Sequence, residues 1–177
     1  MFKVIGFILA LLVAGVIAFA AARPDTFQVQ RATRIQAPPE KVYAHVSDFT
    51  KWPAWSPYEK RDPAMKRSLG PVTQGPGAVY AWQGNGEVGE GRMEITTAAP
   101  PEKVVIALDF VRPMETRNVV EFTIRPAGDA TEVSWTMRGP SPFAAKVMGI
   151  FFDMDQMIGA DFEKGLASLK SLAEQQG

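Results

Sequence analysis

The strongest pattern in the chain comes first: Val4 to Ala22 carries no charged side chain and is bracketed by Lys3 and Arg23. Apolar on every side, the run predicts a helix about 28 Å long, close to the ~30 Å hydrocarbon thickness of a bilayer. After Pro24-Asp25-Thr26 the period changes to two. Phe27, Val29, Arg31, Thr33 and Ile35 alternate with Gln28, Gln30, Ala32 and Arg34, which predicts a strand with one partly buried face. Ala37-Pro38-Pro39-Glu40 stops that strand and opens a helix, since proline is tolerated in a first turn. Val42, Val46 and Phe49, with Tyr43 beside them, form its apolar stripe.

Next comes Asp48-Phe49-Thr50-Lys51-Trp52-Pro53-Ala54-Trp55-Ser56-Pro57. Each such ring buries ~150–250 Å² when packed, so the segment is expected to fold back and plug one end of an apolar interior. Phe49 and Trp52 are expected in the core and Trp55 at a cavity mouth. Arg61-Asp62-Pro63 and Gly70-Pro71 then punctuate a weaker pattern with a short strand at 65–69. From Gly75 the chain reads as hairpin-linked strands over 79–82, 92–97, 104–110, 117–124 and 131–137. The separators Gly84-Asn85-Gly86, Ala99-Pro100-Pro101, Arg112-Pro113 and Pro126-Ala127-Gly128-Asp129 predict an antiparallel meander. Ser141-Pro142 caps a helical pattern that runs through Val147, Ile150, Met154, Ile158, Phe162, Leu166 and Leu169 to Ala173. Gly149, Asp153 and Gly159 are places to bend, so a short helix and then a main one from near Asp153 are expected.

Strands segregated from helices make this an α+β domain. A single curved sheet must cover its apolar face, and the final helix is the long element available. The expected inward sets are Met93 and Ile95; Val104, Ile106, Leu108 and Phe110; Val120, Phe122 and Ile124; Val133, Trp135 and Met137. Val42, Val46, Met148, Phe152, Met154 and Met157 are expected to face them from the helices.

The run Ile35-Gln36-Ala37-Pro38-Pro39-Glu40-Lys41-Val42-Tyr43, followed by the Trp/Pro segment, resembles the polyketide cyclase/dehydrase branch of the START-like (SRPBCC) ligand-binding superfamily. Gly91-Arg92-Met93-Glu94-Ile95, Leu108-Asp109-Phe110 and Gly139-Pro140-Ser141-Pro142 add to the resemblance, which covers about residues 27–173. It implies a helix-grip fold, a seven-stranded antiparallel sheet wrapped around the C-terminal helix and enclosing a hydrophobic cavity. It does not imply cyclase activity, because that family mixes lipid carriers, hormone receptors and ring-closing enzymes. The expected organisation is a transmembrane signal anchor over 1–23 and the START-like domain over 27–174.

Charge and composition narrow the function. The 19 basic and 19 acidic side chains balance, so there is no basic field to hold nucleic acid. The absence of Cys removes disulfides, thiolate catalysis and Cys-ligated zinc, and a single His excludes a His-rich metal site. No cofactor is expected. Ala18-Phe19-Ala20 offers a signal-peptide cleavage site, but the apolar run is long for that and only Lys3 precedes it. A single-pass membrane anchor through residues 4–22 is therefore the first expectation, and a secreted or periplasmic domain after cleavage the alternative. Lys3 against Arg23, Arg31 and Arg34 assigns no side of the membrane to the domain.

Met65, Tyr80 and Trp82 are expected at a pocket mouth. The rest of the expected lining is Arg31, Trp55, Met93, Ile106, Leu108, Phe110, Asn118, Val120, Phe122, Trp135, Met137, Met148, Phe152 and Met157. Aromatic and Met-rich walls suit a plastic apolar pocket, although the same residues also make an ordinary core. Arg31 shares the parity of apolar neighbours and needs a carboxylate or an anionic ligand group. Asn118 shares the parity of Val120 and Phe122 and can orient a polar ligand end. His45 reads as an exposed helix-face residue before it reads as a proton shuttle. Glu87, Glu90 and Glu94 have the chemistry an aldol-type cyclisation needs, but Glu90 and Glu94 share a solvated face with Arg92. The Gly-rich stretch from Gly84 to Gly91 lacks the Lys-Ser/Thr of a phosphate-binding loop and reads as a hairpin tip. With no convergent catalytic set, the expected function is non-catalytic binding or transport of a hydrophobic small molecule or lipid at a membrane. A cyclase/dehydrase-like lyase is the alternative, and a packed interaction module without ligand the second.

Overall fold

The computed structural model describes residues 2–175, with side chains from Val4 onward, so the flanking charge of Lys3 lies outside the described side chains. Helix α1 (Phe2–Ala21) leads into strand β1 (Thr26–Ile35), helix α2 (Pro39–Val46) and two 3-10 turns (Phe49–Ala54 and Pro57–Lys60). Then follow β2 (Lys66–Leu69), β3 (Val79–Gln83), β4 (Glu90–Ala99), β5 (Lys103–Arg112), β6 (Thr116–Ala127) and β7 (Ala130–Pro140). Helices α3 (Phe143–Phe151) and α4 (Met154–Gln175) close the chain, broken near Asp153 as the pattern predicts. The strands form one seven-stranded antiparallel sheet in the order β1-β7-β6-β5-β4-β3-β2. With α4 laid across it, this is the expected α+β helix grip.

Cross-strand registry turns the sequence alternation into rows on the inner face. One row runs Val29, Met137, Val120, Ile106, Ile95 and the next Arg31, Trp135, Phe122, Val104, Ala98. Helix α4 covers these rows with Phe162, Leu166, Leu169 and Ala173, all buried and spaced by three or four. Burying each large apolar side chain of that set contributes about 1.5–3 kcal/mol.

The middle of the grip is filled by rings. Trp52 packs on Trp55 (centroids 4.8 Å apart), Trp55 on Trp135 (5.6 Å) and Phe122 on Trp135 (4.9 Å), while Phe162 stacks on Trp135 at 4.1 Å and 8°. The Trp52 and Trp55 indole N–H groups donate to the Val46 and His45 carbonyls at 3.0 and 3.3 Å. Those carbonyls lie at the end of α2, where a helix leaves its last C=O groups without intrahelical partners. Gly165 lets α4 come this close: a Cβ there would sit 2.7 Å from Trp135 Cζ3 and 3.0 Å from Pro57 Cδ.

Two expectations about side-chain direction are corrected. Trp55 lies at the centre of the ring cluster, 1% exposed, and does not reach a mouth. Met148, Phe152, Met154 and Met157 are exposed instead of facing the sheet. The reason is that α3 turns away from the sheet and packs on the base of α1, burying Ala20, so the inward face of α4 begins a turn later than expected. The rest of α1 stands free of the domain. Its span Val4–Ala21 has mean hydropathy 2.8 and is long and apolar enough to be a membrane anchor or a signal sequence.

Candidate ligand-binding site

Two cavities flank the ring cluster. The larger, about 870 Å³ and half open, lies between α3, the start of α4 and the ends of β1, β5, β6 and β7. Arg23 and Pro24, immediately after α1, form part of its wall, with Phe27, Phe110, Met137, Ile150, Phe152 and Ile158. Its polar groups are few. Lys146 of α3 is buried and donates from Nζ to Asp25 Oδ1 at 2.6 Å, whereas the Asp25 side chain is almost fully exposed. That ammonium holds the Asp25 carboxyl below its ordinary range. Asn118 donates from Nδ2 to Thr116 Oγ1 at 3.2 Å, and its buried Oδ1 has no hydrogen-bond partner. The amide fits because its neighbour across the sheet is Gly139, where a Cβ would overlap it. The Arg23 guanidinium lies 5.4 Å from the Phe19 ring centroid and has no carboxylate partner among the described residues.

The smaller cavity, about 150 Å³, is walled by Trp52, Tyr58, Met65, Tyr80, Trp82, Met93, Leu108 and Phe110. Phe110 lines both cavities. Gly91 makes room for Trp82, whose ring would lie 2.5 Å from a Cβ there, to reach Phe110 edge-on at 5.5 Å. A buried carboxyl group borders this apolar space. Glu59, buried in the second 3-10 turn, accepts from Tyr80 Oη on Oε1 and from Arg67 Nε on Oε2, both at 2.5 Å. Burial first, and the Glu59 carboxylate second, push the Tyr80 hydroxyl well above the usual phenol range. Burial and nearby Asp161 do the same to Tyr58. The Tyr80 hydroxyl is thus the donor in its bond to Glu59.

The expected lining residues are divided among several places. Met65, Tyr80, Trp82, Met93, Leu108 and Phe110 lie on the smaller cavity; Phe110, Asn118, Met137 and Phe152 lie on the larger. Trp55, Ile106, Val120, Phe122 and Trp135 line neither and belong to the packed core. Met148 and Met157 face solvent. Trp52, expected only as core, lines the smaller cavity, and Glu87 stands exposed at its rim. Glu90 and Glu94 pair with Arg112 and Arg92.

Arg31 lines neither cavity. It meets carboxylates of α4, donating to Asp155 Oδ2 at 2.8 Å and to Glu163 Oε1 at 2.9 Å. The guanidinium passes directly over Gly159, where a Cβ would overlap it. Gly159→Ala is therefore expected to expel Arg31 from both pairs. The lost charge-assisted hydrogen bonds are expected to outweigh the gain in helix propensity, leaving the variant less stable than the parent. A urea midpoint equal to or above that of the parent chain would contradict this.

His45 is a further correction, because it is buried instead of exposed. Its Nδ1 has no hydrogen-bond partner, and burial, then the nearby Lys51 charge, push the imidazole pKa down. A folded pKa below the unfolded value of about 6.5 means the neutral ring contributes stability that is present above pH ~6.5. That stability is lost as pH falls through the folded pKa. The thermal midpoint is thus expected to drop between pH 7.5 and 5.5, and to drop less in His45→Gln. Equal drops in the two proteins would remove His45 as the cause.

Three charged residues escaped the reading of the sequence. Glu59 lies in a 3-10 turn between prolines, where no periodicity reports side-chain direction. Arg67 shares strand parity with Met65, and Lys146 interrupts the apolar run from Phe143 to Phe152; both signals were available.

A family model described as polyketide cyclase / dehydrase and lipid transport matches residues 26–174. No curated relative matches the sequence. Among solved structures, a Mesorhizobium loti protein is similar at TM-score 0.62 and 16% identity, covering 85% of this chain and 99% of its own. A Chromobacterium violaceum protein gives TM-score 0.60 at 16% identity, over 86% and 99%. The di-domain ARO/CYC StfQ of the steffimycin biosynthetic pathway gives TM-score 0.64 at 13% identity, over 85% of this chain and 51% of its own. At such identities the likeness is one of fold.

Proposed function

Because the chain belongs to the polyketide cyclase/dehydrase and lipid transport family, we propose that it binds a hydrophobic small molecule or lipid in the larger cavity while α1 holds it at a membrane. In this reading residues 1–23 are the anchor and 27–174 the binding domain. One observation carries it: the cavity opens at the foot of the apolar helix, with Arg23, Pro24 and α3 in its wall. Its volume of about 870 Å³ falls within the ~300–1,000 Å³ of small-molecule sites. Binding without turnover is the favoured reading because two charged groups of that wall are already paired, Lys146 with Asp25 and Asp155 with Arg31.

The test is to purify the full chain in mild detergent and analyse it by native mass spectrometry and solvent extraction. A co-purifying apolar molecule is expected, and Ile150→Trp, which fills the cavity, should lower its occupancy several-fold. A chain that carries nothing and takes up no neutral fluorescent probe would overturn the reading.

Dehydrating or ring-closing chemistry is the second reading, favoured by Glu59 and Tyr80 on the smaller cavity. At about 150 Å³ that space matches a cavity known to admit benzene, so it suits a single ring. Turnover of a single-ring substrate that Tyr80→Phe abolishes without unfolding the chain would move this reading to first place.

A further inference from the structure

We propose, resting on the binding reading above, that the larger cavity takes an amphiphile with an anionic head, and that the head replaces the Asp25 carboxylate on Lys146. The argument begins with an asymmetry. The Lys146 side chain is 8% exposed and fixed in the wall by α3, while that of Asp25 is 95% exposed on the linker after α1. A buried ammonium needs a counter-charge. Nothing in the packing requires that charge to come from Asp25, which can swing into water without disturbing the wall. Asp25 is thus an intramolecular stand-in for an acidic head group.

Arg23 supplies a second cation on the same wall, 2.8 Å from the Cβ position of Gly149 in α3 and without a carboxylate of its own among the described residues. The rim also carries Asp153 and Asp155. Asp155 is neutralised by Arg31, and Asp153 Oδ1 accepts from the Gln156 amide at the start of α4. Deeper in the wall, Asn118 donates from Nδ2 to Thr116 Oγ1, and its Oδ1 is buried against Gly139. The remainder is apolar, with Phe27, Phe110, Met137 and Ile150 available to a hydrocarbon body.

The orientation follows from the anchor. Arg23 and Lys146 lie at the end of the apolar helix, the level at which charged heads lie in a bilayer. An amphiphile keeps its head there while its chain enters the domain. A fatty-acid carboxylate and a lysophospholipid-type phosphate present the same chemistry to this wall.

The test uses the full-length chain in non-ionic detergent, with displacement of a neutral fluorescent probe by palmitic acid, methyl palmitate and hexadecyl phosphate. The anionic probes are expected to compete at least tenfold better than the ester. Lys146→Met should erase that gap, Lys146→Arg should keep it, and Asp25→Asn should widen it several-fold. A preference for hexadecyl phosphate over palmitic acid, or the reverse, supports the inference and names the source of the head. Equal competition by acid and ester in the parent chain would overturn the anionic-head inference and leave the cavity reading standing. Failure of all three to compete would overturn the cavity reading itself. Should Lys146→Met not fold, Asp25→Asn decides, and an unchanged gap there would overturn the stand-in role.

Discussion

Replacing Phe162 by alanine is expected to destabilise the domain by about 3–5 kcal/mol, the range for deleting a large buried ring. The side chain is 1% exposed and stacks flat on Trp135, which in turn touches Trp55 and Phe122. Truncation therefore opens a void beside Trp135 at the point where α4 is held against the sheet, and Trp135 is itself held in place by Trp55 and Phe122. Against a typical stability of ~5–15 kcal/mol this is a large fraction of the total. Urea unfolding of the detergent-solubilised chain, followed by tryptophan fluorescence, measures it. Phe162→Leu keeps most of the volume and should cost about 1–2 kcal/mol. A cost below ~1 kcal/mol for Phe162→Ala would mean that the stack is not what fixes the helix.

Glu59→Ala is expected to have the second-largest effect. It leaves the buried Tyr80 hydroxyl without its acceptor and Arg67 without its counter-charge. Breaking a fully buried pair costs ~3–5 kcal/mol, but Arg67 keeps 35% side-chain exposure, so solvent screening lowers the expected loss to about 2–3 kcal/mol. The partners are coupled, which gives a sharper test than the single variant. Adding Tyr80→Phe removes the orphaned hydroxyl, so the double variant should be more stable than the sum of the two single losses predicts. Strict additivity would show that the short Tyr80–Glu59 contact carries no energy.

Much of the architecture was legible because it rests on local rules. The alternation from Phe27 to Ile35, the proline and glycine punctuation and the helical spacing from Phe162 to Leu169 each constrain one element and agree with their neighbours. The site was less legible because its geometry depends on how distant elements meet. Parity placed Asn118 on the inner face, where it lines the larger cavity. Parity also placed Ile106, Val120, Phe122 and Trp135 there, and nothing local distinguishes a wall residue from one covered by a Trp ring delivered by the 3-10 segment. Met148 and Met157 were misread for a related reason. The contact that turns α3 outward is with α1, more than a hundred residues away, and helical periodicity reports a face without naming what it meets.

The position of Phe110 in both walls has a consequence for selectivity. One aromatic ring stands between a roomy chamber near the foot of α1 and a tight one beside Glu59. In the binding reading proposed above, that side chain limits how far a guest reaches into the domain, and a smaller residue there is expected to join the two compartments from Arg23 toward Glu59.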